Sequence, residues 1–354
     1  MRTLTGFAAL LLTLPTLAQK PPTITEPAWQ RARAVWFAQA ATPRIAAEVG
    51  LGYESLAWNV DTAKIWDTAT DGQRLPLATA AWATLDTFTD LQFGDTAVKA
   101  GNYYAVLAKG ADGWLLGLLD CDKVRAAQIE PGIGGKEPLV ASIPLTTVAG
   151  EDGAVRAEWT TVEDGAELKV QYGPHTLTAR AKVEGAENAF PLAQPLARAC
   201  SRATFGNGKA GKAPFAVIDH GAPKWAGAME KTAKGMQTGE RWRLGSDWAT
   251  TLDTNTSLGI GGKKLPAGSW HLTLAKAAKD GWTLVVSSAV ADHKAKIDGY
   301  NPAAVTPVLE IPLQRSTSKA AAEVLRVAFE SAGGKAQFVI AFGTTRLTAV
   351  VAPM

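Results

Sequence analysis

The chain has 354 residues, 47% hydrophobic and 19% charged, with 36 Lys and Arg against 33 Asp and Glu for a formal charge of +3. That length is about twice the usual single domain, so two domains are expected, and the composition excludes a largely disordered chain. Basic residues are scattered among acidic ones rather than clustered, which excludes nucleic acid as an implied partner.

Residues 1–18 read as a signal peptide: Arg2, the apolar run Phe7 to Leu14, then Pro15 and the small residues Thr16 and Ala18 before Gln19. The run is far shorter than the roughly 20 residues needed to span a bilayer, and no later segment is long enough, so no membrane span is expected. Cleavage near Ala18 removes Arg2, leaving a formal charge of +2 (3 − 1). The expected location is the periplasm or the cell exterior. Residues 19–41 form an N-terminal extension in which Trp29, Arg33 and Trp36 fit one helix face, while RARAVWF alternates as a strand does.

The body of the chain repeats itself. Leu85 to Lys109 aligns without gaps to Leu252 to Lys276 at an offset of 167 (252 − 85), with 11 of 25 positions identical. Beyond it Asp112-Gly113-Trp114 meets Asp280-Gly281-Trp282, Ile143-Pro144-Leu145 meets Ile311-Pro312-Leu313, and Gly173 and Leu177-Thr178-Ala179 meet Gly343 and Leu347-Thr348-Ala349. The expected organisation is a first repeat over 42–183, an Ala-, Gly- and Pro-rich linker over 184–212, and a second repeat over 213–354.

Each repeat is expected to be a β-sandwich, making the protein all-β with two tandem β-sandwich domains. Trp270, Leu272 and Leu274 alternate with Ser269, His271 and Thr273, the period of a half-buried strand. Leu265-Pro266-Ala267-Gly268 supplies a tight turn before it. Further short strands follow between Gly and Pro turns with no helical pattern. Pro144 and Pro312 sit inside apolar strands, which places those strands at a sheet edge or bulge.

Cys121 and Cys200 are the cysteines of the chain. In an oxidising compartment they are candidates for a disulfide, whose 79-residue loop (200 − 121) would add about 4 to 5 kcal/mol in the chain-entropy model. The alternative is two free thiols.

The segment Gly239 to Leu272 carries Trp242-Arg243, Gly245, Ala249-Thr250 and Pro266-Ala267-Gly268 leading to Trp270. It resembles the core motif of the bacterial domain-of-unknown-function 2911 family. The first repeat resembles the family at Thr42 to Gly50 and at Ala83-Thr84, but departs at Trp-Arg-x-Gly and at the Pro-Ala-Gly turn. The resemblance implies export and an all-β fold, and brings no catalytic residue.

No cofactor loop is legible: the Gly134-Gly135 and Gly259 to Gly262 clusters lie between strands, as hairpin turns do. No metal site is expected, since His175, His220, His271 and His293 show no ligand spacing. Polar residues shared by the repeats are the binding candidates: Arg74 with Arg241, Thr84 with Thr251, Asp86 with Asp253. Strand alternation puts each Thr and Asp on one face. There an Asp with a nearby Arg would hold a polar ligand or a cation, or else fix a turn. Among twelve tryptophans, Trp114 with Trp282 and Trp82 with Trp248 recur and read as core, while Trp29, Trp36, Trp58 and Trp159 stay open as sugar platforms.

With no nucleophile beside a base, no metal cluster and no cofactor loop, the expected function is a non-catalytic envelope or secreted module. It would bind a small molecule, a glycan or an envelope protein. The alternatives are a secreted hydrolase or carbohydrate-active enzyme using carboxylates such as Asp86 or Asp253, and a structural interaction protein.

Overall fold

The computed structural model describes residues 21–39, 44–131, 137–187, 189–206, 212–297 and 301–354. The signal-peptide reading of residues 1–18 lies outside the described residues, as do Thr42 and Pro43 of the family resemblance and the glycine pair Gly134-Gly135.

The protein is all-β and its strands pair antiparallel. The N-terminal extension forms strands β1 (Thr23–Thr25) and β2 (Trp29–Ala38), which decides between helix and strand in favour of the alternation in RARAVWF. There follow β3 (Arg44–Glu54), helix α1 (Val60–Asp67), β4 (Arg74–Pro76), β5 (Thr84–Thr87), β6 (Leu91–Phe93), β7 (Thr96–Val98), β8 (Gly101–Gly110), β9 (Gly113–Asp120) and helix α2 (Cys121–Ala126). Then come β10 (Leu139–Pro144), β11 (Thr146–Ala149), β12 (Arg156–Val162), β13 (Gly165–Tyr172) and β14 (His175–Val183).

The stretch read as a linker is largely strand: β15 (Ala189–Ala197) pairs with β2, and β16 (Ala199–Thr204) pairs with the next strand, β17 (Phe215–His220). Its Ala, Gly and Pro content expresses no strand preference of its own, and ladder pairing with neighbours overrides it. The series then runs through helix α3 (Gly227–Gly235), β18 (Arg241–Arg243), β19 (Thr250–Thr254), β20 (Leu258–Ile260), β21 (Lys263–Leu265), β22 (Gly268–Lys276), β23 (Trp282–Ser288), helix α4 (Ala289–Lys294), β24 (Pro307–Ala332) and β25 (Lys335–Pro353). From β17 to α4 the elements recur in the order of those from β3 to α2, after which β24 and β25 stand where the first series has β10 to β14.

In the first series one sheet runs β10-β9-β8-β5-β3-β2-β15 and a second runs β12-β13-β14-β6-β7. Leu51, Leu85 and Leu116 of one and Leu168, Val170 and Leu177 of the other share a single apolar core. In the second series the long strands β24 and β25 carry both layers, with register shifts between Thr317 and Arg326 marking the bend. Edge strands are crossed over: β1, from the N-terminus, pairs with β16 of the second series, while β15 closes the first series at β2. Pro144 lies at the end of β10, an edge strand. Pro312 lies where β24 pairs with β23, before β24 meets β25 at Gln314.

Trp82, Trp114, Trp248 and Trp282 are all buried, as expected of core residues. Trp29, Trp36 and Trp159 are buried as well, and Trp58 is half-buried, so none of them stands out as a sugar platform. Among the described residues, no helix is long and apolar enough to cross a membrane.

Candidate functional site

The aspartates shared by the repeats meet where the two series pack together. Gly50 and Gly52 of β3 face Asp86 and Thr84 of β5, and their missing side chains leave the floor on which the Arg31 guanidinium lies. A Cβ on Gly52 would stand 3.1 Å from Arg31 Nη2. Arg31, 2% exposed, donates to Asp86 Oδ2 at 2.5 Å, to Thr84 Oγ1 at 3.3 Å and to Asp219 Oδ2 at 3.1 Å. Arg198 donates to the other oxygen of Asp219 at 2.6 Å. Thr84 also donates to Asp86, at 3.0 Å, so the two share a face as their spacing requires.

The chain of polar contacts continues across the interface. Asn102 donates to Asp86, and its Oδ1 lies 3.2 Å from the Ser269 hydroxyl, which is 3.0 Å from Asp253. Asp253 then accepts from the Tyr104 hydroxyl and from Arg125 at 2.9 Å. Burial alone would raise the Asp86 carboxyl, but the Arg31 guanidinium and the hydrogen bonds from Arg31 and Asn102 outweigh it and hold it below the usual range. A carboxylate so sealed and neutralised is a poor general acid.

Arg74 and Arg241 are not the partners of these aspartates. Arg74 donates to the carbonyl of Glu137 at 2.6 Å and Arg241 to that of Val305 at 2.8 Å, equivalent positions just ahead of β10 and β24. Each arginine anchors a loop of its own unit. The guanidiniums that meet the aspartates come from β2 and α2, and no shared position betrayed them. Thr251 sits on β19 opposite Asp219 and His271.

Helices α2 and α4 place the remaining interface groups. Asp120 caps α2 and Ser288 caps α4, and each helix packs on the other series: α2 on β22, α4 on β8. Arg125 and His293 occupy the same place in the two helices. His271 and His293, which the sequence keeps apart, lie with ring centroids 5.0 Å from each other, and His271 Nδ1 is 2.9 Å from Asp292. Burial, then the neighbouring His271, pushes the His293 imidazole down to about 3. Among the described residues no three His, Cys, Asp or Glu side chains converge as a metal site.

The cysteines do not pair. Cys121 at the head of α2 and Cys200 on β16 are both free and buried, and burial pushes both thiols well up. The Cys121 thiol instead lies 3.3 Å from Asn102 Oδ1.

A second site was not legible as a motif. In the first series Trp66 of α1 lies between Trp114 and His175, 4.2 Å from each and within 22° and 12° of parallel. Tyr172 lies near-parallel to Trp66 at 5.6 Å, and Trp58 closes the cluster edge-on. The second series sets Trp225, Trp282 and Phe342 in the equivalent places, Trp225 lying 4.9 Å and Trp282 5.9 Å from Phe342, and adds Trp242, which packs edge-on against Trp225 and Phe342 where the first series has Leu75. The position of Trp66 is taken by Ala233 of α3 (66 + 167), and that of His175 by Thr345. The result is an open slot of about 280 Å³ bordered by Trp225, Ala233, Lys276, Trp282, Phe342 and Thr345. Gly343 has φ +50°, and a Cβ there would stand 2.8 Å from Trp225 Nε1, so the wall requires glycine. Gly173 meets Trp58 in the same way. Lys276 Nζ lies 4.7 Å over the Trp282 ring, as Lys109 lies over Trp114.

Two larger hollows, of about 560 Å³ beside Asp90 and Glu184 and about 520 Å³ beside Arg241 and Trp242, are wider grooves without a comparable set of rings. The slot alone of the three has a counterpart in the same chain that displays its occupant.

Residues 217–351 match the model of a family described as Protein of unknown function (DUF2911). The match runs from within β17 to within β25, where both the open slot and Asp253 lie, and supports the family for that second half. No curated protein and no solved structure matches the chain.

Proposed function

We propose that this is an exported, non-catalytic binding protein built from two copies of one all-β domain, in which the second copy holds a planar aromatic group and the first is a closed structural partner. The gapless internal alignment and the recurring order of elements support the duplication, and the leader-like residues 1–18 support export.

The observation that carries the binding reading is the exchange of Trp66 for Ala233. In the first copy an indole fills the space between Trp114 and His175; in the second the equivalent space, with Trp282 on one side and Thr345 in place of the histidine, is left open. A stacked ring gains about 0.5–1.5 kcal/mol beyond the burial of its area, and the whole of a small ring buries enough for micromolar to millimolar affinity once association costs are met. The carboxylates at the interface are committed to Arg31 and Arg125, which leaves the slot as the place for a ligand.

The test is calorimetric titration of the signal-free chain with indole. One site per chain is expected, abolished by Ala233→Trp, with the circular dichroism spectrum retained. Absence of indole binding at several millimolar, or unchanged binding in Ala233→Trp, would remove the proposal.

A further inference from the structure

Resting on that reading, we propose that the ligand of the second-half slot is an aromatic acid, a planar ring bearing a carboxylate, and that Arg315 receives the carboxylate. Three cations line the slot. Lys234 is paired with Glu230 at 2.7 Å and Lys276 with Asp280 at 3.2 Å. Arg315 is different: its guanidinium reaches the carbonyl of Asp280 at 3.4 Å, and among the described residues no carboxylate pairs with it. It lines the slot together with Thr344 and Thr345.

The closed copy is the control. Where the second copy has Arg315, the first has Thr147 (315 − 168), and where it has Lys234 the first has Asp67 (234 − 167). Both strands keep register, since Thr147 pairs with Leu177 and Arg315 with Leu347. Around the filled cluster Lys109, Asp67 and Asp112 sum to −1, whereas around the open slot Lys234, Lys276, Arg315, Glu230 and Asp280 sum to +1. Loss of the internal indole thus coincides with reversal of charge at the rim. A slot that merely lost a tryptophan would have no reason to gain an arginine. A guanidinium fork suits a carboxylate better than an ammonium does.

Three probes that share one ring decide the matter: indole, indole-3-acetate and tryptamine, titrated calorimetrically into the signal-free chain and into Arg315→Gln. Indole-3-acetate is expected to bind about fivefold tighter than indole, the upper range for an exposed ion pair, and tryptamine more weakly than either. Raising the salt should shrink the advantage. In Arg315→Gln the acid should fall to the affinity of indole, with indole itself unchanged. If indole binds but the acid gains nothing, or tryptamine binds best, the assignment of an acid is overturned while the slot stands. If Arg315→Gln leaves the acid's advantage intact, Arg315 is not the receptor. Failure of indole itself removes the binding reading and this inference with it.

Discussion

Replacing Trp66 by alanine should turn the closed cluster of the first half into a second slot. Trp66 is 8% exposed and stacks on Trp114 and His175 at 4.2 Å each, so the substitution removes both faces of a ring sandwich along with its buried area. Trp→Ala in a core costs about 3–5 kcal/mol. The lower end applies here, because the matching space in the second half, about 280 Å³, is reached by solvent that refills it. Urea unfolding followed by intrinsic fluorescence should therefore show a loss of about 3 kcal/mol relative to the parent. Indole at about 100 times its Kd should return about 2.7 kcal/mol, and the calorimetric stoichiometry should rise from one to two. A loss under about 1 kcal/mol, or a stoichiometry that stays at one with no recovery, would refute the equivalence of the two clusters.

Arg31→Ala should cost about 3–5 kcal/mol, since it leaves Asp86 without its guanidinium and Asp219 with Arg198 alone in a sealed interface; a urea midpoint within error of the parent would contradict this. Acid should weaken the fold well before its carboxylates titrate. His220 and His293 are pushed down to about 4 and about 3, chiefly by burial, so the unfolded chain binds protons near pH 6.5 that the folded one refuses. Stability is then full above about pH 6.5 and falls towards pH 4 by up to about 1.4 kcal/mol per pH unit for each histidine. His293→Gln should reduce that slope, and a flat profile over this window would sink the argument. With Cys121 and Cys200 both free and buried, thiol reagents should modify two groups in the unfolded chain and none quickly in the folded one. A reductant-dependent melting temperature would show that they pair after all.

Much of the architecture was legible because strand alternation is a local property. Trp270, Leu272 and Leu274 fall on one face by period alone, and Trp114 and Trp282 recur at strand positions that any all-β core would bury. Local composition carried no signal for the strands inside the Ala-, Gly- and Pro-rich stretch: Ala189–Ala197 and Ala199–Thr204 are strands because β2 and β17 offer them ladders.

The recurrence of Asp86 and Asp253 marked them as special, and that much the sequence determined. Which groups they meet was decided by tertiary packing. Arg31 comes from 55 residues upstream of Asp86, and Arg125 from the other half of the chain 128 residues before Asp253. Such partners follow from how two sheets and two capped helices dock, not from spacing.

The slot illustrates the same division from the opposite side. Comparing the repeats for what they share finds structure, because shared residues hold the common fold. The candidate ligand site lies in what they do not share, Trp66 against Ala233 and Thr147 against Arg315. The strand pattern, the recurring units and the buried tryptophans belong to the sequence, since side-chain periodicity and burial preference act over a few residues. That one missing indole opens a space at all was for the tertiary structure to decide, because a cavity exists only when rings from β23, β25 and the loop before α3 stand around Ala233 of α3.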